Sequence, residues 1–269
     1  MIYTISTFYN HYNKYSPETH LNLFARNPEN ESIVCFNPKC CKYISEERKQ
    51  ELKKVGSQKQ REYTIEYINE FIETAKENGY IVAYNHPYWS LETAEYIHGI
   101  NGCFSMEMVN YGCYVSNGLE YNGQIYDSLL MAGKRIFCHS ADDNHNGAPL
   151  DSVYSDSFGG ITMILAENLE YGEIFSAMEK GEMYSTMGPT FKEVSFDGEK
   201  LHIECSDVQS IYVYYGSKAP SRIHAPKGET VNCADITVDK NCKYIRVSIA
   251  DKYGNRADTR GFFRDELGL

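Results

Sequence analysis

Apolar and polar positions along the chain follow two different periods. Within 61–78, Ile65, Ile68, Ile72 and Ala75 recur at three- and four-residue spacing, which predicts an amphipathic helix stopped by Asn78-Gly79. Tyr80–Asn85 follows at once as a short apolar strand that ends in His86-Pro87. Strand-like runs recur at 103–109, 135–139 and 160–165, with helical stretches near 90–98, 122–132 and 169–180. Helix alternating with strand predicts a parallel sheet, open or closed into a barrel. The segment 26–60 is polar and rich in Lys and Glu, which predicts an excursion over the surface.

The pattern changes after Gly188-Pro189. Short alternating runs at 193–196, 201–205, 210–215, 235–238 and 244–250, separated by turn residues such as Asp197-Gly198, predict a small antiparallel β domain. The expected organisation is therefore an α/β domain over 1–189 and a small β-sandwich-like domain over 190–269.

Candidate chemistry collects at two predicted strand ends. One is Asn85-His86-Pro87-Tyr88-Trp89, and the other is His139-Ser140-Ala141-Asp142-Asp143-Asn144-His145. In a parallel α/β architecture, side chains just past strand C-termini face a common mouth. Imidazole and carboxylate together suit a divalent ion such as Zn, Mn or Fe, and Asp143-x-His145 can aim both side chains at one centre. The alternative for any one of these residues is a capping Asp or a hydrogen-bonded His. His139 is expected as a satisfied histidine in the wall, and His11, His98, His202 and His224 at the surface.

These residues, in this order, resemble the polymerase-and-histidinol-phosphatase (PHP) family of metal-dependent phosphoesterases. Asn85-His86-Pro87 looks like the family's mid-chain metal-binding histidine motif, and Ser140–His145 resembles its late (T/S)DDxH motif. Thr19-His20-Leu21-Asn22-Leu23 resembles the segment carrying an earlier histidine ligand. Met106-Glu107-Met108-Val109-Asn110 is similar to a strand ending in the family's E-hydrophobic-x-N pattern. Glu182–Pro189 and Ala257–Leu267 are similar to the hinge and closing motif of a bacterial subgroup with an appended β domain.

The resemblance implies an incomplete (β/α)7-type, TIM-like PHP barrel followed by that β domain. It implies metal ligands His20, His86, Asp143 and His145, with His86, Asp143 and His145 catalytic. Glu107, Asn110 and Asp142 would support them from behind. The family's opening H-x-H and D-H motifs are missing, and Thr4 stands where a carboxylate ligand would be. Fewer divalent ions than the family's three are therefore expected. The implied activity is hydrolysis of a small phosphate ester by metal-activated water. The alternative is a truncated or degenerate member that binds metal or phosphate without turnover, or acts as an interaction module. A second copy or a partner chain is expected at the seam left by the missing strands.

Composition narrows the partners. With 269 residues, 13% of them aromatic, the chain has ample surface to bury, which excludes disorder. A formal net charge of −11 disfavours nucleic acid. Membrane crossing is not expected, because no apolar run reaches about 18 residues. The opening residues lack the basic stretch and apolar core of a signal peptide, so a cytoplasmic location is expected. The nine cysteines are expected as reduced thiols, since the spacing of Cys35, Cys40 and Cys41 fits no common zinc site.

Overall fold

A computed structural model describes residues 2–7, 15–37 and 45–269 of the chain. His11, Cys40 and Cys41 lie outside the described residues. The chain opens with β1 (Ile2–Thr7) and β2 (Thr19–Ala25), an antiparallel pair. The polar excursion carries the two-residue strands β3 (Ile33–Val34) and β4 (Lys54–Val55), joined in parallel, and the six-residue helix α1 (Glu46–Glu51) between them.

Helix α2 (Ile65–Glu77) is capped by Thr64, whose hydroxyl accepts the Tyr67 amide, and Gly79 beyond it takes φ +84°. Its buried face is Tyr67, Ile68, Phe71, Ile72 and Ala75. Then come β5 (Tyr80–Asn85), α3 (Ala94–Gly99), β6 (Ser105–Asn110), α4 (Tyr111–Asn117), α5 (Gly123–Met131) and β7 (Phe137–Ala141). These strands form one mixed sheet in the order β1-β2-β5-β6-β7, in which β2 runs antiparallel to β5 while β5-β6 and β6-β7 are parallel. Leu21, Tyr84, Met106 and Cys138 are cross-strand neighbours on one face, and they share a core with the apolar face of α2. Burying each large apolar side chain there contributes about 1.5–3 kcal/mol.

The remaining elements are β8 (Ile161–Ile164), α6 (Tyr171–Lys180), β9 (Met183–Thr186), β10 (Phe191–Phe196), β11 (Lys200–Val208), β12 (Ser210–Tyr214), β13 (Ser221–His224), β14 (Val231–Thr237), β15 (Tyr244–Ala250), β16 (Arg256–Thr259), β17 (Phe262–Phe263) and α7 (Arg264–Leu267). Strands β10-β11-β14 make a three-stranded antiparallel sheet. A larger antiparallel sheet runs β13-β12-β15-β16-β9-β8, with β17 also on β15. Leu201, Ile203, Ala234 and Ile236 from the smaller sheet meet Ile211, Val213, Val247 and Ile249 from the larger one in a second core. The larger sheet is continuous across the Gly188-Pro189 junction, because β8 and β9 precede it and β12, β15 and β16 follow it.

The chain does not form the expected (β/α)7-type, TIM-like barrel. Such a barrel needs each strand parallel to its neighbours and the sheet closed on itself. Among the described residues parallel pairing is confined to β5-β6-β7 and the β3–β4 pair, and the molecule is β-rich with several antiparallel sheets. Strands β8 and β9 pair antiparallel with each other and join the C-terminal sheet. They abut β7 only through side chains: the Ser140 amide donates to Thr162 Oγ1 at 3.0 Å, and Ser140 and Ser185 share a hydroxyl hydrogen bond.

A buried ion cluster joins the two cores. Arg246 of β15, 1% exposed, donates through Nε and Nη2 to both oxygens of Asp127 on α5 at 2.9 and 2.6 Å, and through Nη1 to Asp258 of β16 at 2.6 Å. Its guanidinium also lies over the Tyr214 ring, 4.4 Å from the centroid. Among the described residues, no helix is long and apolar enough to cross a membrane.

Candidate functional site

The antiparallel register of β2 against β5 sets His20 opposite Asn85, so the start of β2 lies beside the end of β5 where His86 follows. The C-terminal ends of β6 and β7 add Asn110 and the Asp142-Asp143 pair to the same edge. The cleft above that edge, about 540 Å³, is lined by His20, His86, Asp143 and His145, together with Glu18, Trp89 and Asp156. All four residues expected as metal ligands therefore face one space. No three of them bring donor atoms within 4.8 Å of one another.

His20 and His86 form the closest pair: His20 Nδ1 and His86 Nε2 are 2.6 Å apart. Metal–nitrogen bonds of about 2.0–2.1 Å would hold two ligating nitrogens farther apart than this. The contact is thus that of a shared proton, and an ion taking its place must part the rings. Burial lowers the pKa of both imidazoles and keeps them neutral, the form that ligates metal; at His86 the neighbouring His20 adds to this, and at both Asp143 opposes it. His86 Nδ1 is engaged by Ser90 Oγ at 2.9 Å, which fixes the ring, while His20 Nε2 is buried without a partner. Two neutral imidazoles with facing nitrogens, in a cleft that Asp143 also lines, are a donor set that fits a divalent ion.

The orphaned atom belongs to a row. His20 and Asn85 are cross-strand neighbours on β2 and β5, and Glu107 and His139 on β6 and β7; each pair lies one residue beyond the Leu21-Tyr84 and Met106-Cys138 pairs, on the face opposite the α2 core. Asn85 Oδ1 and His139 Nδ1 are also buried without partners, as is Asn22 Oδ1 one step below. Buried polar atoms left bare in this way mark a space that water or a ligand fills. The wall position expected for His139 is thus a buried, partly unsatisfied one, and burial pushes its pKa down to about 4.

Glu107 is buried. Its Oε2 accepts the His86 amide at 2.8 Å and Asn110 Nδ2 at 3.2 Å, and burial holds its carboxyl well above the usual range. Asn110 caps α4 by accepting the Cys113 amide at 2.9 Å, and its Nδ2 also donates to Asp143 Oδ2 at 3.2 Å. Asp142 points away from the cleft, and its carboxylate collects the amides of Phe158, Gly159 and Gly160 at 2.5–2.9 Å. Gly160 is required there, since a Cβ would stand 2.4 Å from the Ala141 carbonyl oxygen. His145 is exposed; its Nδ1 lies 2.6 Å from the Asp143 carbonyl oxygen and its amide donates to Asp156 at 2.8 Å.

His86 and Asp143 take φ values of +26° and +50°, left-handed conformations that cost about 1–3 kcal/mol each in non-glycine residues. The 86–91 loop is held in place by groups that periodicity does not reveal. Trp89 donates its amide to Glu120 at 2.7 Å, Ser90 donates back to the His86 carbonyl at 3.0 Å, and Glu18 donates to the Ser90 carbonyl at 3.1 Å. Trp89 lies edge-on to His86, with ring centroids 5.2 Å apart. Next to His20, the Thr19 hydroxyl bridges Glu92 Oε1 (2.6 Å) and the Tyr96 hydroxyl (2.9 Å), and Tyr84 donates to the other Glu92 oxygen. Burial pushes the Glu92 carboxyl up to about 8. The Ser90 spacing, four residues past His86, is the one signal in the sequence that could have marked a partner.

Among the described residues no Lys or Arg lines the cleft, whereas Glu18, Asp143 and Asp156 do. That balance of charge favours a cation over a free phosphate. Comparison of the chain with family models, with curated proteins and with solved structures finds no match.

Proposed function

We propose that the cleft holds a divalent ion through His20, His86 and Asp143, and that the chain is a PHP-like metal-dependent phosphoesterase acting on a small phosphate ester. The observation that carries this reading is the pair of buried, neutral imidazoles whose His20 Nδ1 and His86 Nε2 face each other at 2.6 Å, with Asp143 lining the same cleft. A divalent ion there supplies Lewis acidity and an acidified water. Ser90 and Glu107 fix the ring and backbone of His86, and Asn110 fixes Asp143. His145, whose Nδ1 faces the Asp143 carbonyl, has Nε2 free to take up a proton and return it to a leaving oxygen.

A second reading has a specific observation behind it. The 2.6 Å contact between His20 and His86 is satisfied by a shared proton, and the donors present suffice for one ion, not three. On that reading the cleft binds metal or phosphate without turnover. Metal analysis of the purified chain, with a phosphatase assay in Mn²⁺ or Zn²⁺, separates the two. Bound metal with turnover abolished in His86→Ala supports the enzyme. Metal lost in His86→Ala but no turnover supports the second reading. No metal dependent on His86 overturns both.

A further inference from the structure

The outer face of the β10-β11-β14 sheet carries a cluster unrelated to the cleft. In the β11–β14 register His202 stands opposite Asp235 and Glu204 opposite Cys233, so a His-x-Glu pair faces a Cys-x-Asp pair across two strands. The donor atoms of His202, Glu204 and Cys233 all lie within 4.8 Å of one another. His202 Nδ1 is 2.8 Å from Asp235 Oδ1, and its Nε2 is 3.6 Å from Glu204 Oε1. Asp235 accepts the Nδ1 proton, and that hydrogen bond leaves the Nε2 lone pair aimed at the Glu204 and Cys233 side. A carboxylate behind a ligating imidazole sets tautomer and orientation in this way and raises its basicity.

The charge on this face is unbalanced. Glu193 of β10 pairs directly with Glu204, and like charges directly opposite destabilise a sheet. Among the described residues no Lys or Arg forms an ion pair with Glu193, Glu204 or Asp235; their cationic neighbour is His202, which is charged only when protonated. Among the described residues Cys233 is also the exposed thiol, the other free cysteines being buried.

We propose that His202 Nε2, the Glu204 carboxylate and the Cys233 thiolate form a three-ligand site for a zinc-class divalent ion, with Asp235 as the positioning residue behind His202. Nitrogen, oxygen and sulfur donors together suit Zn²⁺ and its spectroscopic surrogate Co²⁺ rather than Mg²⁺ or Ca²⁺. Binding releases the Cys233 proton to solvent. Three protein ligands leave a position for water, and the exposed face lets the ion exchange.

The test is Co²⁺ titration of the reduced full-length chain, followed by absorption. The expected result is saturable binding of one Co²⁺ that gives a thiolate-to-cobalt charge-transfer band. Cys233→Ser and, independently, His202→Ala should abolish the band, whereas His86→Ala in the cleft should leave it intact. Asp235→Asn should weaken Co²⁺ affinity roughly 10- to 100-fold with the band retained at saturation. These side chains lie on the outer face, and the far-ultraviolet circular dichroism of each variant should match that of the parent. No thiolate band at excess Co²⁺, or a band that survives Cys233→Ser and so belongs to another thiol, overturns the site.

Discussion

Glu92→Gln tests the polar interior beside the cleft. The Glu92 carboxyl sits among Thr19, Tyr84 and Tyr96, and burial raises its pKa from the ordinary 4.5 to about 8. The folded chain therefore keeps a proton that the unfolded chain gives up above pH 4.5. The stability tied to that proton is fully present below pH 4.5 and is lost as pH rises to about 8. At 1.36 kcal/mol per unit the full shift is worth about 5 kcal/mol, and partial solvent access to this half-buried residue brings the expected loss to roughly 2–5 kcal/mol. Glutamine has nothing to titrate and should remove the share of the slope that belongs to Glu92. His139 acts in the opposite sense: its folded pKa near 4 lies below the ordinary 6.5, so its contribution is lost as pH falls from 6.5. Urea unfolding of both proteins from pH 6.5 to about pH 9 isolates Glu92. The variant should gain on the parent as pH rises through that range. A difference that stays flat with pH would refute a protonated Glu92 in the folded state.

Arg246→Ala should cost about 3–5 kcal/mol, because it leaves Asp127 and Asp258 charged and half-buried to buried without their partner; thermal unfolding reads this directly. Asn110→Ala removes the cap of α4 and should cost about 1–2 kcal/mol in chemical denaturation. It should also weaken metal binding in the cleft by freeing Asp143. Gly181→Ala should cost more than about 1 kcal/mol, since Gly181 takes φ +68° at the end of α6 and a Cβ would meet the Phe137 ring at 2.5 Å; denaturant midpoints check it.

Local structure was legible where a single element carries its own signal. The 61–78 periodicity contains α2, with the buried face falling on Ile68, Ile72 and Ala75, and the runs at 80–85 and 244–250 coincide with β5 and β15. Strand partners were not legible. Helix α6 between β8 and β9 has the look of a parallel crossover, yet the two strands pair antiparallel, and the other edge of β9 goes to β16, some seventy positions onward in the chain. Period gives the face a strand buries, and says nothing of which edge it will meet. The same limit hid Glu92 and Glu120, whose importance comes from burial and from donors elsewhere in the chain: the Thr19 and Tyr84 hydroxyls for Glu92 and the Trp89 amide for Glu120.

The cleft residues converge without a closed barrel for a reason visible in the register. Convergence needs four strand ends at one edge of a sheet, and two different pairings supply them. Parallel pairing brings the ends of β5, β6 and β7 together, and antiparallel pairing brings the start of β2 to the same edge. His20 can then meet His86 although β2 runs the other way. Residue order along the chain is therefore a guide to which side chains share an edge, and a poor guide to whether the sheet closes. The charge of that edge is also set by the convergence: among the described residues lining the cleft, carboxylates and neutral imidazoles meet without a Lys or Arg, a balance that favours a cation over a free phosphate.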